Sequence, residues 1–400
     1  MTLLAHKIEL RPTPEQADYL ARACGSRRHC FNQLLAHFKQ DGVKWSKKTA
    51  YELWKQLRVE FPWYAEVSAR VTRNAIDDLD SAFAHFFRRV KAGQKPGFPR
   101  FKKKGIRDSF SMRETVKFDV DGRSLRIEKL KTRIALRQQV RWEGQAKQVT
   151  ISQRAGKFYA SILVEAENYP AIRPQGEIVG VDFGLKNLAI LSDGTKLPAN
   201  QILKANLKRL GRLQRKLSRK PKSSTSKRRA KAKLCIAKLH HRIHRQRQAV
   251  LHDLSHTLTS SYRTVVIEDL CVKGMVRNRK IARAVSDAGM GELRRQLEYK
   301  AKLRGVQIIV ADRFFPSSKT CHCCGGHNPE VVLGVDEWTC PHCGAHHDRD
   351  INAAINLENY GRQTLGGDLK RTARVAEDLA LPGCDVDGVN VICADLERSA

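Results

Sequence analysis

Three acidic side chains stand where the surrounding sequence favours apolar residues. Asp182 interrupts the apolar run EIVGVDFG, Glu268 closes the run that begins at Val265, and Asp350 opens the helical pattern DINAAINLENY. A charge in such surroundings costs free energy unless a partner neutralises it. Each acid alone is typical of a strand end or a helix cap, whereas the three together predict a cation-binding site.

These carboxylates predict metal-dependent hydrolysis of a phosphodiester. Repulsion among close carboxylates raises their pKa values unless cations lie between them. Two Mg²⁺ ions about 3.5 to 4 Å apart activate the attacking water and stabilise the leaving oxygen in that reaction, and oxygen-only ligands favour Mg²⁺ or Mn²⁺. We therefore predict Asp182, Glu268 and Asp350 as catalytic residues that bind two Mg²⁺ (or Mn²⁺) ions. Their neighbours Asp269 and Asp348 are the alternative choices.

Four cysteines have the spacing of a structural zinc ribbon. Cys321 and Cys324 form one C-x2-C pair, Cys340 and Cys343 form a second, and 15 residues separate the pairs. Four thiolates make a closed tetrahedral site that cannot activate water, so the predicted Zn²⁺ serves folding. The remaining cysteine and histidines of the segment are expected at the surface or in packing, with ligand exchange as the alternative: Cys323, His322, His342, His346 and His347.

A basic segment between Lys204 and Arg247 contains 18 Lys or Arg and no Asp or Glu. A solvated helix face normally mixes both signs, so this segment predicts contact with phosphates, which gives affinity and salt dependence but no sequence preference. A merely solvated basic hairpin is the alternative. The candidate contacts are Lys208, Arg212, Arg215, Lys216, Arg219, Arg228, Arg242 and Arg245.

A second basic segment, KPGFPRFKKKG at 95–105, adds Lys102 and Lys103 as candidate contacts. Its Phe98 and Phe101, like the pair Phe314 and Phe315 further along, stand beside basic residues. Such aromatic rings either stack on unpaired bases or pack inside the protein.

The elements in the first part of the chain follow from sequence periodicity. Residues 3–11 read as a strand, and the following TPEQ supplies the N-cap, first-turn proline and capping-box Gln of a helix. Apolar residues at helical spacing then predict three helices, and alternating segments after residue 110 predict antiparallel hairpins of a small barrel. We expect a barrel of residues 1–12 and 95–172, interrupted by a helical lobe at 13–94.

The second part of the chain has the element order of an RNase H-like fold. From Glu177 the pattern predicts two strands, a helical excursion broken near Pro221, then strand, helix, strand and a final helix. In such a fold the strands of Asp182 and Glu268 are adjacent and the final helix begins over their edge, so the carboxylates converge. The predicted architecture is therefore multidomain α+β. We expect the nuclease domain at 173–316 and 346–362, the zinc ribbon at 317–345, and a flexible tail at 363–400.

Composition favours a polyanionic partner. The 400 residues carry 74 Lys and Arg against 41 Asp and Glu, a net charge of +33, and nucleic acid is the first candidate for neutralising it. A basic membrane-surface protein is the alternative, but no apolar stretch reaches the roughly 18 to 20 residues that span a bilayer.

The N-terminus lacks the apolar core of a secretory signal, and eleven cysteines fit a reducing compartment. We expect a cytoplasmic protein without a membrane or small-molecule partner.

Four motifs give the chain a resemblance to a known family. These are GVDFGLKNLA at 180–189, VIEDL at 266–270, FPSSKTCHCCG at 315–325 and CPHCGAHHDRDINAAINL at 340–357. Together they resemble TnpB, the RNA-guided nuclease carried by insertion sequences and related to type V CRISPR effectors. The similarity covers most of residues 1–360, and the extra cysteine in the first C-x2-C pair departs from it.

The resemblance implies an RNA-guided DNA endonuclease of a transposable element, in a bacterial or archaeal cell and associated with the nucleoid. It implies a wedge-like barrel, a helical recognition lobe and a RuvC-type domain with a target-binding zinc ribbon. The implied catalytic triad is Asp182, Glu268 and Asp350, and the implied partners are a guide RNA from the transposon end and double-stranded and unwound target DNA beside a short flanking motif. A miniature type V CRISPR effector and a non-cleaving nucleic-acid-binding regulator are the alternatives.

Overall fold

The computed structural model of the protein describes residues 2–105, 107–166, 174–222, 226–332 and 334–366. The chain forms two compact units, Met1–Tyr169 and Pro170–Ala400. Across the described ranges, no helix has the length and apolar character needed to cross a membrane.

The first unit combines a seven-stranded antiparallel sheet with helices inserted after its first strand. Its elements are β1 (Thr2–Arg11), α1 (Pro14–His37), α2 (Lys47–Glu60), α3 (Ala69–Lys91), β2 (Ser109–Met112), β3 (Phe118–Asp121), β4 (Ser124–Ile127), β5 (Ile134–Leu136), β6 (Gly144–Arg154) and β7 (Lys157–Ala166). The strand order is β2-β6-β7-β1-β5-β4-β3. Strand β1 thus lies between strands that follow it by more than 120 residues, and three helices occupy the segment where three were expected.

The capping residues expected from the sequence start helix α1. The Thr13 hydroxyl accepts a hydrogen bond from the Gln16 backbone N–H at 3.3 Å, and the Gln16 side chain accepts one from the Thr13 N–H at 3.0 Å. Gln16 is also buried, and its amide donates to Thr132 at 2.8 Å. The capping box therefore both begins the helix and joins it to the sheet.

The second unit is built on a five-stranded mixed sheet. Its elements are β8 (Gly176–Asp182), β9 (Asn187–Leu191), β10 (Lys196–Pro198), α4 (Ile202–Ser218), α5 (Lys227–Ser261), β11 (Tyr262–Glu268), α6 (Val272–Arg277), α7 (Ala282–Ala288), α8 (Met290–Arg304), β12 (Gln307–Ala311), β13 (Glu337–Thr339), β14 (His346–Asp348) and α9 (Arg349–Gly366). The order is β10-β9-β8-β11-β12, with β8, β11 and β12 parallel.

Two details differ from the sequence-based expectation. The short helices α6 and α7 were not predicted, because six or seven residues carry too little periodicity to be recognised. Helix α9 continues to Gly366, so residues 363–366 are helical and do not belong to a tail. An ion pair between Arg362 and Glu358 at 2.6 Å supports this last turn. The remainder of the expected tail, 367–400, lies outside the described residues.

Two glycines let α9 lie directly on the sheet. A Cβ atom on Gly180 of β8 would clash with the carbonyl oxygen of Ala354 and lie 2.5 Å from the backbone nitrogen of Glu358. A Cβ on Gly361 of α9 would clash with Val266 and lie 2.8 Å from the Ile178 side chain. Neither position has room for a side chain, so at these two positions α9 packs on the sheet without an intervening side chain.

We expect Gly180→Ala to lower the melting temperature of the protein. The new methyl group meets helix backbone, which cannot rotate away, so a loss of about 1–3 kcal/mol is expected from overpacking. Gly211→Ala is the matched control, since Gly211 lies inside α4 with no atom within 4 Å of an added Cβ. The control should be at least as stable as the wild type, by up to about 1 kcal/mol. Thermal unfolding followed by circular dichroism measures both, and equal melting temperatures for the wild type and Gly180→Ala would contradict the argument.

Candidate active site and metal centre

The structure brings Asp182, Glu268 and Asp350 to one edge of the five-stranded sheet. Strands β8 and β11 are parallel neighbours in which Val181 pairs with Ile267. The next residue of each strand is its last, so Asp182 and Glu268 lie side by side at the strand ends. Asp350 is the second residue of α9, one turn before Ala354, the residue in contact with Gly180. Two strand ends and one helix start therefore position the three carboxylates.

Electrostatics links these acids. Burial, and then the negative charges of Glu268 and Asp350, raise the pKa of Asp182 above its usual range. Burial also raises the pKa of Glu268, against the effect of a hydrogen bond from Ser317. Arg349 donates two hydrogen bonds to Asp350 Oδ1, at 3.1 and 2.8 Å. A cation placed among the carboxylates would remove the cost of holding them charged.

The two alternative acids are occupied by protein cations. Hydrogen bonds from Arg294 and Arg313 hold the pKa of Asp269 below its usual range. Burial by itself would raise the pKa of Asp348, but hydrogen bonds from Lys196 and from the Ile351 backbone lower it. These neighbours are neutralised locally, which favours Asp182 and Glu268 over them as cation ligands. Asp350 is also paired with Arg349, and its negative charge acts on Asp182.

Sequence reasoning missed a polar network that holds Glu268. The hydroxyl of buried Ser317 donates to Glu268 Oε1 at 2.8 Å. The Ser317 carbonyl accepts from the side-chain amide of Asn356 at 2.8 Å, and the Asn352 amide donates to the Thr320 carbonyl at 2.8 Å. Both asparagines are buried on α9. The segment before the cysteines is thus bound to the helix that carries Asp350.

The four predicted cysteine ligands form one cluster. Their sulfur atoms all lie within 4.8 Å of one another, with Cys321 and Cys343 3.7 Å apart and Cys324 and Cys340 3.6 Å apart. A tetrahedral ion with Zn–S bonds of about 2.3 Å has sulfurs about 3.8 Å apart along each edge. The spacing fits a structural zinc ion.

Each cysteine pair is folded by a tight turn. The N–H of Gly325 donates to the Cys321 carbonyl at 2.9 Å, and the N–H of Gly344 donates to the Cys340 carbonyl at 3.0 Å. Both glycines have φ of +74°, which a residue with a side chain rarely adopts. The two turns therefore present their sulfurs in the same way.

One histidine of the segment lies against the cluster. His347 is buried, packs on Trp338 with ring centres 4.8 Å apart, and places Nε2 3.0 Å from Cys321 Sγ. Cys321, Cys323 and His347 also satisfy the spacing of a metal site, so ligand exchange stays an alternative. The side chains of Cys323, His342 and His346 are exposed, whereas His322 contacts Asn352.

Most basic residues of α4 and α5 face solvent, whereas Arg229 and Arg247 are partly buried and bonded to the protein. The two helices pack through Leu210, Leu239 and Ile243, and all eight candidate phosphate contacts on or beside these helices are exposed. Lys103 is exposed as well, but Lys102 is half-buried, forms an ion pair with Asp78 at 3.1 Å and lies 4.1 Å from the centre of the Phe31 ring. These contacts engage the Lys102 ammonium with protein groups, so it is less available to a phosphate than Lys103.

Comparison with known proteins identifies the family. A protein from Streptomyces pristinaespiralis named "Putative RNA-guided DNA endonuclease" is 37% identical over 367 residues, covering 88% of this chain and 88% of that protein. The chain belongs to the TnpB family. The Escherichia coli (strain K12) protein "Putative RNA-guided DNA endonuclease InsQ" is 32% identical and covers 93% and 96%. The solved structure of CasPhi-2 (Cas12j) bound to crRNA is 10% identical, covers 91% of this chain and 98% of its own, and has a TM-score of 0.43.

Three family models match this TnpB-family chain. The model described as "Probable transposase" matches residues 161–279, which include Asp182 and Glu268. The model described as "Cas12f1-like, TNB domain" matches 291–357, which include Asp350 and the cysteine cluster. The model "Helix-turn-helix domain" matches 1–41, where the structure has strand β1 and the single helix α1.

We expect the purified TnpB-family protein to contain one zinc ion per chain, measured by inductively coupled plasma mass spectrometry. Cys340→Ser should lose the ion, because three thiolates leave the tetrahedral site open. Cys323→Ser is the matched control and should keep it, since Cys323 is the exposed cysteine between Cys321 and Cys324. Zinc loss in Cys323→Ser with zinc retained in Cys324→Ser would reassign the ligand.

We expect Asp182→Asn to be more stable than the wild type in buffer without Mg²⁺, by a margin that grows with pH. The folded-state pKa of Asp182 is raised, so the folded chain binds more protons and this group lowers stability as pH rises above about 4. Melting temperatures at about pH 5.5 and pH 8 measure the margin.

Two controls accompany this measurement. No chelator is added, because it would remove the zinc ion expected on the cysteine cluster. Asp253→Asn replaces an exposed acid of α5. The control should show no such pH-dependent gain. Adding Mg²⁺ should stabilise the wild type and shrink the margin, whereas a margin that falls as pH rises would contradict the electrostatic coupling.

Proposed function

We propose that the chain is an RNA-guided DNA endonuclease of a transposable element, with a metal-dependent RuvC-type nuclease site. The observation that carries the proposal is the carboxyl end of strands β8 and β11, where Asp182, Glu268 and Asp350 meet. Burial and the two neighbouring acids raise the pKa of Asp182 more than the charge of Arg349 lowers it. Relatives that are 37% and 32% identical over most of their length are named as RNA-guided DNA endonucleases.

The three carboxylates would hold two Mg²⁺ or Mn²⁺ ions. Such ions, when bound, activate water and stabilise the leaving oxygen of a phosphodiester. The protein contributes ligand position: strands β8 and β11 fix Asp182 and Glu268, and the backbone contact at Gly180 fixes the helix of Asp350. Ser317 holds one oxygen of Glu268, leaving the other for a cation.

We propose the domain boundaries expected from the sequence, with one change. Residues 1–12 and 95–172 would form the wedge barrel and 13–94 the recognition lobe. The RuvC-type domain would take 173–316 and the segment from 346 to Gly366, where α9 ends. The zinc ribbon at 317–345 would be the target-binding insertion, held in shape by one Zn²⁺ on the four cysteines.

The basic helices α4 and α5 would contact phosphates of RNA or DNA. Their exposed Lys and Arg side chains lie outside an apolar seam that joins the helices to each other, so burial does not compete with phosphate binding. We propose a guide RNA from the transposon end, together with double-stranded and unwound target DNA, as partners. Binding through such contacts weakens steeply as salt rises.

The test is cleavage by the protein coexpressed with its native flanking DNA. In Mg²⁺, the purified complex meets plasmids that carry the guide-matched target beside a randomised flanking motif. We expect cleavage only beside particular motifs, and Asp182→Ala should lower the rate at least about a thousandfold because it removes a metal ligand. Asp253→Ala, which removes an exposed acid from α5, should cut as the wild type does.

Other outcomes favour other functions. Salt-sensitive DNA binding with copurified RNA but no cut in Mg²⁺ or Mn²⁺ would identify a non-cleaving regulator. A guide encoded by a neighbouring repeat array, and not by a transposon end, would identify a miniature type V CRISPR effector. Cleavage that survives Asp182→Ala would overturn the assignment of the site.

A further inference from the structure

Phe314 is the most exposed of the large apolar side chains that the structure leaves at the surface. It is 86% exposed, about twice the 40% and 45% of Phe98 and Phe101. It lies between strand β12 and the cysteine cluster, in the loop from Asp312 to Ser317. Single exposed apolar side chains are common on proteins, so the case for Phe314 rests on the loop that presents the ring and on its position.

The backbone of this loop is held on both sides of Phe314. The Phe314 N–H donates to the Asp312 carboxylate at 2.9 Å, and the Phe315 N–H donates to the Asp312 carbonyl at 3.0 Å. The Ser317 N–H donates to the Phe315 carbonyl at 2.8 Å, and Pro316 restricts its own φ. The loop is a turn with defined geometry.

The neighbouring side chains are anchored as well. Arg313 forms an ion pair with Asp269, and Phe315 packs on Tyr360 with ring centres 4.9 Å apart. Ser317 donates to Glu268. Phe315 is partly buried, Ser317 is buried, and the exposed Arg313 is held by its ion pair, whereas the Phe314 ring stays in solvent. Sequence alone could not separate Phe314 from Phe315, because both stand beside the same basic residue.

The anchors also locate Phe314 next to the carboxylates. Arg313 is bound to the residue that follows Glu268, and Ser317 is bound to Glu268 itself. Three residues of chain span at most about 11 Å, so the ring lies near the edge of the sheet where Asp182 and Glu268 end their strands. A nucleotide beside the bond to be cut would come within reach of it.

We propose that Phe314 is a stacking platform for an unpaired base of the DNA strand entering the carboxylate site. This inference rests on the proposed nuclease function. An aromatic ring offers its face to any base, so it holds a single strand without reading sequence. Bases inside a duplex already stack on each other and leave no face for the ring. Because the loop is already ordered, little conformational entropy is lost when the base binds.

The first measurement is the fluorescence of 2-aminopurine, which falls when this base analogue stacks. Guide-loaded Asp182→Ala protein keeps the DNA uncut, and the analogue is placed near the cut site in the target strand or, in a second set, in the displaced strand. We expect quenching at one position of one strand, which identifies the strand held. Adding Phe314→Ala to the same protein should restore the fluorescence.

The second measurement is the rate of DNA cleavage by protein that retains Asp182. The target carries the flanking motif identified in the cleavage test above. Phe314→Ala and Phe314→Leu should each cut about tenfold more slowly, the effect expected from losing one stacked base. Phe314→Tyr and Phe314→Trp keep a ring and should cut at nearly the wild-type rate. Val59→Ala is the matched control, an apolar side chain that is 82% exposed on helix α2.

Each outcome decides one of the two proposals. A wild-type rate in Phe314→Ala, or fluorescence unchanged by that substitution, would overturn the stacking platform and leave the nuclease function intact. Equal losses in the Ala and Trp variants would show a structural role and overturn it too. A wild-type complex that binds target DNA without cutting would overturn the nuclease function, and the fluorescence would then decide stacking alone.

Discussion

The backbone contact between helix α9 and strand β8 is the constraint on which the rest of the site depends. Gly180 and Gly361 leave no room for a side chain, and only this close approach brings the start of the helix to the ends of β8 and β11. The same helix carries Asn352 and Asn356, whose amides hold the segment that leads into the cysteine cluster. One contact therefore positions Asp350, the loop that holds Glu268 and the segment that leads into the cysteine cluster.

Much of the candidate site could be predicted because its residues break local patterns. Parallel strands buried on both faces read as continuous apolar runs, so Asp182 and Glu268 stand out in the sequence, and the two C-x2-C pairs need only their spacing. Ser317 carries no such signal, since its burial and its bond to Glu268 arise from residues 49 positions apart. The burial of Lys102 against Phe31 was equally hidden in a run of lysines.

The fold shows the same division between local and distant information. The capping box at Thr13 and the break between α4 and α5 are encoded within a few residues, and both were predicted. The last turn of α9, up to Gly366, follows an Arg362–Glu358 ion pair, a local signal too weak to predict the extension from the sequence. Phosphate contact by α4 and α5 is a prediction about a bound partner, and the domain boundaries are a separate prediction.

The position of β1 in the seven-stranded sheet has a consequence for synthesis on the ribosome. Thr2 pairs with Ala166 and Leu10 with Leu136, so β1 waits after its synthesis for partner strands made more than a hundred residues later. At about 5–20 residues per second that delay is on the order of ten seconds, while α1 to α3 can already bury their own core around Leu34 and Leu79. During this interval the unpaired strand edge is exposed to other chains. Charged side chains such as Lys7 and Glu9 on β1 discourage such pairing until β5 and β7 have been made.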